Sequence, residues 1–189
     1  MAKHIPFAPP VNESESWAFK YLKENLPDEY LLLTNLDIYT GNGSSVEIDA
    51  IVIGEYAVYL VDVKGYTGLL EAGPHVWRAG QTEVENPIPK LSRNCKIFAG
   101  RLKQRTAARA HTPWVQPAAF VTGAGGSDIS LRTPLETVPA YTAPKILSAL
   151  TREGYITSHY PSRMTKEQRE LVMEVIGQIG LVEARNHTI

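Results

Sequence analysis

Between Val46 and Lys64 two apolar, β-branched runs flank Gly54-Glu55, the pattern of a β-hairpin. No other stretch constrains the fold as tightly. Side chains alternate along a strand, so Asp62 and Lys64 share one face while Val61 and Val63 share the other. With Gly54-Glu55 as a two-residue turn, Asp49 faces Leu60 and lies diagonal to Asp62 on the same face. Two carboxylates and an ammonium then converge at the edge of an otherwise apolar sheet. Such a place holds a divalent cation and a water, which points toward phosphodiester hydrolysis.

The rest of the chain is consistent with one domain, or one domain with a helical extension. Its 189 residues are enough for a substantial core, and 43% hydrophobic with 21% charged residues is ordinary for a soluble protein. No run of about 18 apolar residues exists to span a membrane. The single cysteine, Cys95, forms no intramolecular disulfide, builds no thiolate zinc cage and fits a cytoplasmic setting. The five histidines show no ligand spacing.

Charge is strongly segregated behind a net value of −1. Residues 1–85 hold 13 acids against 5 bases, whereas residues 86–127 hold no acid and seven bases. Those bases are Lys90, Arg93, Lys96, Arg101, Lys103, Arg105 and Arg109. One reading is a basic surface that tracks a phosphate backbone beside an acidic site; the other is a solvated helix face.

Residues 1–11 read as an extended, proline-rich arm. Asn12 is an N-cap with Glu15 placed for a capping box, and a helix follows to about Asn25. Its inward face carries Glu15, Ala18, Phe19 and Leu22. Strands are expected at about 30–39, 69–72, 75–78 and 138–141. Another is expected at 113–121, where Pro117 suggests an edge position or a late strand start. Asn86-Pro87 opens a helix over about 89–109, with Leu91, Cys95, Phe98 and Leu102 on one stripe. Helices at 144–152 and 165–179 close the chain, the second with Leu171, Met173, Val175 and Ile179 inward. Glycine-rich Thr40–Gly43 and Gly123–Gly126 lack the Gly-Lys-Ser/Thr continuation of a phosphate loop. The expected fold is an α/β sandwich, a mixed β-sheet flanked by helices. A core at 12–125 carries the motifs, and 126–189 completes or extends it.

In chemical terms, Asp49 and Asp62 suit direct metal ligation, with the Val63 carbonyl as a further oxygen. Glu15 would complete the metal sphere directly or through water. Lys64 suits the water and the developing negative charge. Two nearby acids favour its ammonium form, and general-base action needs burial to favour the free amine. Glu47 shares the face of Asp49 by period two but sits farther from Asp62.

The order Glu15…Leu22, Leu26-Pro27-Asp28-Glu29-Tyr30, Asn35, Glu47–Gly54, Val58–Lys64, Gly65–Gly68, Trp77 and Asn86-Pro87 resembles the nuclease-related domain family. That family lies within the PD-(D/E)xK, restriction-endonuclease-like superfamily. The resemblance implies a metal-dependent (Mg²⁺ or Mn²⁺) nuclease-like domain acting on DNA, with Glu15, Asp49, Asp62 and Lys64 as its site. It also implies a fused or associated kinase or helicase module, a link to prokaryotic phage defence, and the homodimers common among restriction-like enzymes. Asp62 stands where the family usually has Glu, and Lys90 where it often has Gln. A rival expectation is a catalytically silent module of the same fold that binds nucleic acid or docks a protein.

Overall fold

Three antiparallel strands, β2 (Leu31–Tyr39), β3 (Ser45–Ile53) and β4 (Ala57–Lys64), are the centre of the computed structural model. It describes residues 1–40, 43–106, 113–123, 129–131, 139–151, 163–178 and 182–184. The sheet extends on both sides. β1 (Lys3–Pro6) joins β2 in parallel at Leu31–Thr34, and β11 (Val182–Ala184) joins the same edge antiparallel at Leu36–Ile38. Beyond β4 come β8 (Trp114–Val121) and β10 (Ala140–Tyr141), both in parallel. A smaller sheet contains β5 (Gly68–Glu71), β6 (Val76–Ala79), β7 (Thr82–Glu85) and β9 (Ile129–Leu131).

Helices cover both faces of the large sheet. On one side α1 (Glu13–Asn25) and α3 (Lys145–Thr151) bury Ala18, Phe19, Leu22, Ile146 and Leu150 against Val52, Tyr59, Val61 and Phe120. Trp17 stacks on Tyr21 with ring centroids 4.9 Å apart, and both rings pack against Phe120. On the other side α2 (Ile88–Thr106) and α4 (Lys166–Gln178) pack Leu91, Cys95, Phe98, Leu102, Val172 and Ile176 against Ile51, Ile53, Val58 and Leu60. The expected mixed sheet between helices is therefore present, and the apolar stripe of α2 is the one its spacing predicts.

Several expectations need correction. The hairpin turn is not Gly54-Glu55. Ile53 pairs with Val58, leaving residues 54–57 between the last partners, and Gly54 N–H donates to the Ala57 carbonyl at 3.1 Å. A primed two-residue turn needs positive φ, and neither Gly54 nor Glu55 has it. Glu55 is instead held by Arg163 at 3.3 Å, and its carbonyl accepts from Met164 N–H at 2.7 Å.

The Pro117 strand is not at an edge. β8 lies between β4 and β10, with Pro117 opposite Leu60. Proline is tolerated because β10 pairs only with Ala119 and Phe120, so on that side no partner requires the missing N–H. The extended 1–11 arm contributes β1 to the sheet. α4 buries Val172 and Ile176, which the expected face did not include, with Met173 half-buried; the side chains of Leu171 and Val175 lie outside those described. Ile179, Arg109, Val138, Gly41, Asn42 and the loop beyond Gly123 lie outside the described residues.

Phe98 is fully buried in the α2 stripe. Phe98→Ala is expected to cost about 3–5 kcal/mol of unfolding free energy, measured by chemical denaturation. A loss under about 1 kcal/mol would contradict this packing.

Candidate active site

The site is made by a fork in the sheet. β3 and β4 pair from Ile53↔Val58 to Ala50↔Val61. Beyond that point β3 stays with β2 as far as Tyr39↔Ser45, and β4 stays with β8 as far as Lys64↔Val121. Asp49 and Asp62 stand where the two ladders part, opposite each other rather than diagonal as the two-residue turn implied. Val63 N–H, no longer in the β3 ladder, donates to Asp49 Oδ2 at 2.8 Å.

Asn35 lies across β2 from Asp49, between the pairs Thr34↔Ala50 and Leu36↔Ile48. Its φ of 53° is left-handed in the middle of a strand, a conformation asparagine tolerates better than most residues. Leu33 and Leu36 lie in the same core, as do Ile48 and Ile51, so strict alternation breaks in both strands at this level. The buried Asn35 amide donates to the carbonyls of Pro9 at 2.7 Å and Ala8 at 3.4 Å. It thereby ties the arm to the fork. Sequence spacing assigned Asn35 no role; the irregularity shows only in the backbone.

The fork opens into a cleft of about 310 Å³ lined by Glu15, Asp49, Asp62, Lys64, Lys90 and Asn94, among others. The side chains of Asp62 and Lys64 are each about three-quarters buried, with Lys64 Nζ 3.6 Å from Asp62 Oδ2. Val63 points into the opposite core, leaving its backbone at the site. Glu15 arrives from the first turn of α1, where its N–H donates to the Asn12 cap at 2.9 Å. Its Oε2 accepts from Val11 N–H at 3.0 Å, one residue before the partner of an ordinary capping box. Gly65 lets this helix end approach β4. A Cβ there would collide with the Ser14 hydroxyl and lie 3.0 Å from Ser14 Cβ.

Glu47 also lines the cleft, from an exposed position on β3. Lys90 is exposed on the α2 wall, whereas Asn94, absent from the sequence-based set, is buried there. Arg93, Lys96 and Lys103 are exposed along α2 and Arg101 is half-buried, bonded to Gln104 at 3.4 Å. Arg105 follows on the same helix. Among the described residues, Lys90 alone of the basic set lines the cleft itself.

Residues 11–122 match the model of the nuclease-related domain. The chain belongs to the nuclease-related domain family. An uncharacterized protein of Bacillus anthracis is 28% identical over 100 residues, covering 50% of this chain and 44% of that relative. The chain thus matches less than half the length of that relative. No solved structure matches at a comparable level of significance.

Nuclease-related and other PD-(D/E)xK-like domains typically use divalent metals. Among the described residues, no three carboxylate, imidazole or thiol side chains gather closely enough to surround one ion. The fork provides a carboxylate pair, with backbone oxygen nearby. That donor set suits Mg²⁺ or Mn²⁺, which is commonly held by one or two carboxylates and keeps several waters.

The fork is an unfavourable place for the negative charge of Asp62. Burial, followed by the charge of Asp49 and a hydrogen bond to it, pushes the Asp62 carboxyl up to about 7, with Lys64 acting in the opposite direction. Asp62 therefore retains a proton at pH values where an ordinary aspartate has lost it. The folded protein holds that proton more tightly than the unfolded chain, whose ordinary value is 3.8. Its stabilising contribution is full below that value and is lost as pH rises through about 7. Asp62→Asn should therefore gain stability relative to wild type between about pH 4 and 7, with a limiting slope near 1.4 kcal/mol per pH unit. Metal-free denaturation at several pH values measures it; a pH-independent difference would contradict the coupling.

Proposed function

We propose that this nuclease-related domain is a metal-dependent DNA endonuclease that hydrolyses phosphodiester bonds. The observation that carries the reading is the fork, which forces Asp49 and Asp62 together beside Lys64 in one cleft. Asp49 and Asp62 would hold Mg²⁺ or Mn²⁺ through their carboxylates and Val63 through its carbonyl, with Glu15 acting directly or through water. A cation held there supplies Lewis acidity and an activated water.

The chain's own residues do the rest. Lys64 orients the attacking water and offsets charge on the phosphoryl oxygens as it develops. The acid-free helix α2 guides the nucleic-acid backbone, with Lys90 at the cleft and Arg93, Lys96, Arg101, Lys103 and Arg105 farther along. The wider proposal is a cytoplasmic DNA-acting module, able to dimerise and to work with a fused or associated kinase or helicase in phage defence. That wider part rests on the family resemblance.

One observation favours a second reading, a nuclease-fold module that binds nucleic acid or docks a protein without cutting. An oxygen of Glu15 is already engaged by Val11 N–H, and the third carboxylate does not join the Asp49–Asp62 pair in a closed cluster.

Incubation with supercoiled plasmid in Mg²⁺, Mn²⁺ or EDTA separates the two. The nuclease reading predicts metal-dependent nicking that falls at least ~100-fold in Asp62→Ala and Lys64→Ala, with both variants still folded. Undiminished cleavage by either variant would sink the mechanism. A metal-independent DNA complex that yields no product would favour the second reading.

A further inference from the structure

We propose that Asn94, together with Lys90 one turn earlier on α2, forms a phosphate-oxygen subsite on the wall of the cleft. The inference rests on the nuclease reading for its ligand class, a phosphodiester, but its geometry is independent of whether the chain cuts.

Asn94 occupies an unusual place. α2 buries Leu91, Cys95, Phe98 and Leu102, and Asn94 lies on the flank of that stripe, 4% exposed. Asparagine is a poor residue for a helix interior, and burying an amide costs stability unless it is hydrogen-bonded. No side-chain hydrogen bond to it is seen among the described residues, and its polar atoms are not fully buried, so the amide opens onto the cleft it lines. A leucine there would extend the apolar stripe at less cost to the fold. The amide is therefore placed for something that enters the cleft.

The surroundings indicate what that is. The carboxylates lining the cleft are Glu15, Glu47, Asp49, Asp62 and Glu85, and its cations are Lys64 and Lys90. None of the acids comes from α2, because residues 86–127 contain none. The cleft is thus bipolar, with an acidic sheet side for a cation and an α2 side with one ammonium and one amide. A phosphodiester bridging the two would place a non-bridging oxygen at the α2 wall. There Asn94 Nδ2–H donates to that oxygen and Lys90 supplies positive charge.

The test is binding of a 20-base-pair duplex in Ca²⁺ buffer, read by fluorescence anisotropy across a salt series, alongside thermal unfolding. Asn94→Leu is expected to keep or raise the melting temperature and weaken binding about tenfold, leaving the salt slope unchanged because no charge is removed. Lys90→Gln is expected to lower the slope by about one. Asn94→Asp keeps the size but presents a carboxylate, and should weaken binding more than Asn94→Leu does.

Wild-type affinity in folded Asn94→Leu and Asn94→Asp would overturn the proposal, as would a lower melting temperature in both with no change in affinity. An unchanged slope in Lys90→Gln, or a wild-type chain that does not bind the duplex, would also overturn it. A wild-type chain that binds with these mutational effects but does not nick plasmid would defeat the nuclease reading alone and leave the subsite standing.

Discussion

The hydrogen bond from Val63 N–H to Asp49 Oδ2, 2.8 Å long, marks the point on which the site depends. An antiparallel ladder would ordinarily use that N–H for a backbone partner. Here β3 has left with β2 and β4 has left with β8, so a side chain satisfies the freed donor. The same divergence puts two carboxylates opposite each other and opens the cleft between them. Asn35 supports the bend from the other side of β3 with a left-handed residue inside a strand and an amide that fixes the arm. Gly65, just past the end of β4, leaves room for the first turn of α1. Backbone geometry therefore comes first, and the acidic constellation follows from it.

Electrostatics turns this geometry into chemistry. Burial and the neighbouring Asp49 charge oppose ionisation of Asp62, and Lys64 only partly relieves it. A retained proton on Asp62 offsets that cost. The absence of acids from residues 86–127 keeps the helix across the cleft free of further negative charge. Stability at this point is given up for a place that favours positive charge.

Much of this was legible in the sequence because it rests on short-range rules. Period-two alternation placed Asp62 and Lys64 together, with Val61 and Val63 on the other face. The 3.6-residue period found the buried faces of α1 and α2. Other features depend on tertiary partners and left no local trace. The 54–57 turn is shaped partly by Arg163 and Met164, more than a hundred residues away. Pro117 signals an edge, and only the short reach of β10 allows it inside the sheet. Asn35 and Asn94 resemble ordinary polar residues until their burial is seen. β1, β7, β9 and β11 are three or four residues each, too short for a periodic signal.

The most direct test of the account is a calorimetric titration of Mn²⁺ at pH 6.5, in two buffers of different ionisation enthalpy, for wild type, Asp49→Asn and Asp62→Asn. A fork that holds a cation in place of the Asp62 proton predicts one ion per wild-type chain. Part of a proton should be released on binding, and both should be lost in either variant. Binding with no proton release, or binding that survives both substitutions, would contradict it.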